Sequence, residues 1–191
     1  MVAMVASTGG LEPITRVLGR LEPDVRAAVL IALHQEPYRR SMLAKLLGRA
    51  CRLPVEEAED GEPLVCGRVL VTPPGSHLLV TTNGQVALIP VGATPPSRPS
   101  ADLLLATLAV SCGQRALAVV LSGHGHDGQA GVRAIVRCGG TVLVQSELSS
   151  VAFGMPGAAI DTMLVKEINI RSPDGIAQAI TDHARSSGVA L

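Results

Sequence analysis

Short apolar runs separated by longer amphipathic stretches constrain this chain more than any other feature. Runs at residues 2–6 (VAMVA), 28–33 (AVLIAL), 116–121 (ALAVVL) and 141–145 (TVLVQ) are five or six residues long. Runs of that length without polar alternation fit strands covered on both faces, as in a parallel sheet. Between them, apolar residues recur at helical spacing: Ile14, Val17, Leu18 and Leu21, then Met42, Leu43, Leu46 and Leu47. Ser100 is the expected N-cap of a helix covering residues 103–110, with Asp102 in its first turn. Further helices are predicted over 131–138, stopped by Gly139-Gly140, and from 173 to about 185. Strand alternating with helix implies an α/β fold: a doubly wound, largely parallel sheet with helices on both faces.

One stretch breaks the alternation. Residues 68–72, 77–81 and 85–90 are short and strand-like, with turn signals at Pro73-Pro74-Gly75 and Asn83-Gly84. Asn-Gly favours a hairpin, so an antiparallel hairpin is expected here, inserted into or flanking the parallel sheet. Residues 90–99 hold four prolines and read as a surface loop. Without repeats or low-complexity segments, residues 1–191 read as one domain.

Composition narrows the function classes. The chain has 16 basic and 16 acidic residues, one Tyr, one Phe and no Trp. A balanced charge without stacking aromatics argues against nucleic-acid binding. No apolar run is long enough to span a bilayer and no secretory signal opens the chain, so a cytoplasmic location without membrane insertion is expected. Cys51, Cys66, Cys112 and Cys138 lack CxxC spacing and read as buried free thiols.

In an open α/β sheet, ligands bind at the carboxyl ends of the strands. Ser7-Thr8-Gly9-Gly10 follows the first run, His34 follows the second, and Ser122-Gly123-His124-Gly125-His126-Asp127-Gly128 follows the third. A hydroxyl, an imidazole and a carboxylate thus fall on one sheet edge, as nucleophile, base and orienting group. Each also has a plainer reading. Ser7 could N-cap the next helix, His34 could bond a backbone carbonyl, and Asp127 could cap the helix after Gly128. The paired glycines after Thr8 allow close approach to backbone amides that could hold an oxyanion. His124 and His126 beside Asp127 raise a rival metal-dependent hydrolysis. His77 and His183 read as ordinary surface or hairpin residues.

These residues carry a family pattern. Ala6-Ser7-Thr8-Gly9-Gly10 resembles the ASTGG signature of the catalytic domain of chemotaxis protein methylesterases (CheB). The resemblance continues through His34 with Pro37, the EAEDGE stretch at 57–62, the strand reaching His77, Arg98-Pro99-Ser100 with Asp102, the loop at 121–128, and Phe153-Gly154-Met155-Pro156. It implies a single methylesterase-like catalytic domain over 1–191 without the family's N-terminal receiver domain. Ser7 falls on the family nucleophile, His34 on its general base and Asp127 on its orienting carboxylate. The implied activity removes methyl esters from glutamates of chemoreceptor cytoplasmic helices, and deamidates certain glutamines, without cofactor or metal. Thr8, Gly9 and His124 are expected in the oxyanion or substrate region. Arg98 is expected to orient an acidic receptor segment. Without the receiver switch the domain would stand alone, answer to a separate regulatory protein, or form part of a larger system. Val5, Ser122, His124 and His126 depart from the family's usual Gly, Thr, Met and Asn. A receptor-binding module without activity is the non-enzymatic alternative.

Overall fold

The computed structural model describes residues 1–38, 40–92 and 97–187. Most of the predicted loop core, residues 93–96, lies outside the described residues. The first half runs β1 (Val2–Ala6), α1 (Leu11–Leu18), β2 (Val29–Leu33), α2 (Leu43–Gly48), β3 (Val55–Glu57), β4 (Val69–Val71), β5 (Ser76–Val80) and β6 (Val86–Pro90). The second half runs α3 (Ala101–Cys112), β7 (Leu117–Val120), α4 (Gln129–Arg137), β8 (Thr141–Gln145), α5 (Gly154–Ile160), β9 (Ile170–Arg171) and α6 (Pro173–Ser187).

Seven strands form one sheet in the order β3-β4-β2-β1-β7-β8-β9. Every neighbouring pair is parallel. All five residues of β1 are buried, and their alternation divides the core. Val2, Met4 and Ala6 face Ile14, Val17 and Leu18 of α1, with Leu47 of α2 and Ile176 and Ile180 of α6 in the same cluster. Ala3 and Val5 face the opposite cluster, built from Leu104, Leu105 and Leu108 of α3, Val132 and Ile135 of α4, and Met155 of α5. Two-sided burial explains why the central strands carry uninterrupted apolar runs.

The hairpin expectation holds in part. β5 and β6 pair antiparallel as a separate two-stranded unit, with Gly84 at φ 72° in the turn. The preceding strand-like piece does not belong to it. β4 sits inside the parallel sheet between β2 and β3. Its three buried residues are too few for local pattern to reveal their partner. The four cysteines are free, but Cys66 is exposed and the others are half-buried. Cys51 follows α2, Cys112 ends α3 and Cys138 follows α4, positions at the margin of the core rather than within it. Among the described residues, no helix is long and apolar enough to cross a membrane.

From β1 the strand order steps one way to β2, β4 and β3, then returns to the other side of β1 for β7, β8 and β9. The carboxyl ends of β1 and β7 therefore flank a topological switch point, where α/β sheets open a crevice.

Candidate active site

The strand ends bring the three sequence-predicted residues to this crevice. Ser7 follows β1, and its N–H donates to the Ser122 carbonyl just beyond β7 (2.9 Å). His34 follows β2, and its N–H donates to the Ala6 carbonyl (3.0 Å). The N-cap of α1 is Gly10, without a side-chain cap bond, so Ser7 does not serve as that cap. Its hydroxyl has no hydrogen-bond partner among the described residues. Ser7, Thr8, Gly9 and His34 line an open cleft of about 540 Å³, walled by Leu11, Leu33 and Val151, with Glu12 as its one acidic residue.

His34 Nε2 lies 2.8 Å from Asp127 Oδ2, with side-chain exposures of 18% and 9%. A carboxylate only accepts, so Nε2 carries the proton and Nδ1 is left as the acceptor. Asp127 does not cap the helix that follows it. Gly128, at φ 101°, is the N-cap of α4, without a side-chain bond. Asp127 binds instead to the start of α3. Its Oδ2 also accepts the Ala101 N–H (2.7 Å), and its Oδ1 accepts the Asp102 N–H (3.0 Å). The Ser100 hydroxyl approaches Oδ1 at 3.4 Å.

The N-terminus of a 12-residue helix is a favourable place for an anion. Burial pushes the Asp127 carboxyl up, but the bonds from His34, Ala101 and Asp102 outweigh it and hold the group below its ordinary value. Asp127 is therefore ionised at neutral pH and fixed from two sides.

The loops around Ser7 are held by Ser122 and Gln145, to which sequence reasoning assigned no holding role. The Ser122 hydroxyl donates to the Thr8 carbonyl (2.8 Å) and accepts the Ala152 N–H (2.9 Å). The Ser122 N–H donates to Oε1 of the fully buried Gln145 (2.8 Å), whose Nε2 donates to the Ser149 carbonyl (2.6 Å). A polar residue closing the otherwise apolar run at 141–145 was the available signal. Gly9 has φ 75°, and a Cβ there would fall 2.5 Å from Val151 Cβ. The Thr8 and Gly9 amides have no acceptor among the described residues and lie beside Ser7 in the cleft.

Other predicted residues stand further off. Arg98 offers its carbonyl to the Gln35 N–H (3.0 Å), next to His34, but neither Arg98 nor His124 lines the cleft. His124 and His126 are exposed. Among the described residues, no group of three or more His, Cys, Asp or Glu could hold a metal ion, and both Asp127 oxygens are already engaged. The metal-centre alternative thus finds no geometry here.

His77 is a hairpin residue, in β5, but not a surface one. It is 4% exposed, and its Nδ1 accepts the Ser100 N–H at 2.9 Å. Ser100 and His77 therefore form a second Ser–His pair near Asp127. The contact runs through the serine amide, while the Ser100 hydroxyl accepts the Leu103 N–H as the α3 cap. Ser100 itself is 1% exposed. A capped, enclosed hydroxyl that does not meet the imidazole is not placed to attack a substrate.

Comparison with known proteins agrees with this architecture. A solved structure, the Thermotoga maritima CheB methylesterase catalytic domain, superposes with a TM-score of 0.88 at 28% identity, covering 95% of this chain and 96% of that one. A protein-glutamate methylesterase/protein-glutamine glutaminase of Myxococcus xanthus is 38% identical over 188 residues, covering 98% of this chain and 53% of the relative. One of Paramagnetospirillum magneticum is 39% identical over 163 residues, covering 83% and 43%. The chain spans about half the length of the curated relatives it matches. With the profile of the CheB methylesterase family matching residues 2–180, this chain belongs to that family.

Proposed function

We propose that this chain is the catalytic domain of a protein-glutamate methylesterase, with Ser7 as nucleophile, His34 as general base and Asp127 as the carboxylate that orients it. The observation that carries the reading is the hydrogen bond from His34 to Asp127 at the rim of the cleft that holds Ser7. Nδ1 of His34 takes the Ser7 proton as Oγ attacks the ester carbonyl. The Thr8 and Gly9 amides supply donors for the developing oxyanion, a contribution worth about 10²–10³ in rate for one such donor. The imidazolium, stabilised by Asp127, returns the proton to the departing methoxide and methanol leaves. Water then attacks the acyl-enzyme with His34 again as base, and the glutamate carboxylate is released. An amide substrate would follow the same path and release ammonia.

The cleft suits a neutral side chain. Its walls are apolar, and its acidic residue is Glu12. A methyl ester enters without charge conflict, while the anionic product faces Glu12 and is repelled. Methylated chemoreceptor cytoplasmic helices are the proposed substrate, with the cytoplasm as the place of action. Arg98 and His124, which lie outside the cleft, are proposed to contact receptor segments around the modified side chain.

The test is methanol release from a chemoreceptor cytoplasmic fragment carrying radiolabelled methyl esters. The native chain should release methanol, and Ser7→Ala should lower the rate by on the order of 10⁶. Equal release by both proteins would refute the assignment.

A further inference from the structure

The β5–β6 hairpin has no place in the parallel sheet, yet β5 is tied to α3 at successive levels. The Val80 N–H donates to Thr107 Oγ1 (3.1 Å), and the Ser111 hydroxyl donates to the Val80 carbonyl (2.9 Å). At the start of the helix, His77 Nδ1 accepts the N–H of Ser100 (2.9 Å). The next two amides, of Ala101 and Asp102, are the ones bound to Asp127. One short path therefore runs from His77 through the first turn of α3 to Asp127 and on to His34.

We propose that His77 is a positioning residue for the active site: by accepting the Ser100 N–H it fixes the first turn of α3, and that turn fixes the carboxylate that orients His34. The inference rests on the catalytic reading of Ser7, His34 and Asp127. It gives the hairpin a task, since the hairpin delivers His77 to the helix cap. A protonated Nδ1 would set two N–H groups against each other, so the device requires a neutral imidazole. The charged groups facing His77 are Asp127, which favours protonation, and Arg98, which opposes it; burial opposes it more strongly than either.

Asn and Gln substitutions at position 77 separate this role from simple space-filling. The Asn side chain can present its oxygen near the position of Nδ1, whereas Gln carries its oxygen one methylene further. Both keep a polar group at the site. His77→Gln should lower kcat about tenfold, the effect of one lost hydrogen bond on the orientation of Asp127, with little change in KM. His77→Asn should recover most of kcat. Rates are compared per folded protein, measured by far-ultraviolet circular dichroism, so that a loss of stability alone does not register as a loss of kcat. Asn and Gln variants with the same kcat would overturn the proposal. So would a Gln variant indistinguishable from wild type. Ser7→Ala separates the two levels: full turnover by that variant defeats the catalytic reading, whereas an inactive Ser7→Ala beside unresponsive His77 variants defeats only this inference.

Discussion

Asp127 Oδ2 lies 2.8 Å from His34 Nε2, although 93 residues separate the two in sequence. The same oxygen accepts the Ala101 N–H at 2.7 Å. The carboxylate is thus shared between an imidazole and a helix N-terminus, and the consequences of each contact are separately measurable.

Asp127→Asn tests the contact with His34. An Asn oxygen in the Oδ1 place still accepts the Asp102 N–H, which puts its NH₂ in the Oδ2 place, facing Nε2 and no longer accepting from Ala101. Nε2 must then accept, and the proton moves to Nδ1, where it blocks uptake from Ser7. Turnover should fall by about 10⁴ with circular dichroism unchanged. An Asn variant within tenfold of wild type (about 1.4 kcal/mol) would contradict this role.

The contact with α3 predicts a pH dependence of stability. The folded-state pKa of Asp127 is held below the ordinary value of 3.8. A depressed carboxyl stabilises the fold above its unfolded value and loses that contribution as pH falls through the folded value. Wild type should therefore be more resistant to urea than Asp127→Asn at pH 7. The gap should narrow as the pH is taken below about 4. A gap independent of pH would show that the carboxylate charge contributes nothing.

Gly123→Ala tests how tightly Ser7 is seated. An added Cβ would lie 2.4 Å from Met155 Sδ and 2.8 Å from Ser7 Cβ. Met155 is held by its N–H bond to the Gly123 carbonyl, and Ser7 by its bond to Ser122. The strain should displace Ser7 and lower turnover by about 10², the scale expected for misplacement near 1 Å. Gly48→Ala, with its nearest neighbour at 3.7 Å, is the control and should leave turnover intact.

Gln145→Leu removes the acceptor of the buried Ser122 N–H. An unsatisfied buried donor should destabilise the chain by about 1–3 kcal/mol, read as a lower urea midpoint. Turnover should fall as well, because Ser122 also holds the Thr8 carbonyl. An unchanged midpoint would mean that the Ser122 amide finds another partner.

Local pattern carried the sequence reading where burial is two-sided. β1 and β8 keep their predicted limits, and β2 and β7 differ by one residue at one or both ends. Pattern failed where an element owes its existence to a distant partner. Val55–Glu57 is three residues long, with two exposed glutamates, and becomes a strand only by pairing with β4. The turn that receives Asp127 lies 25 to 26 residues before it. Nothing local to Asp127 distinguishes capping α3 from capping α4. His77 offered the same difficulty: its neighbours mark a hairpin, but its burial comes from α3 packing over β5. The strand-end rule located the crevice because it depends on topology, which the order of runs already encodes.

The central claim is that Ser7, rather than the enclosed Ser100, is the nucleophile. A fluorophosphonate reacts with an activated serine, and peptide mass mapping of the labelled chain locates the adduct. One adduct on Ser7 is expected, absent in Ser7→Ala and slowed in Asp127→Asn. An adduct on Ser100, or labelling that persists in Ser7→Ala, would contradict the account.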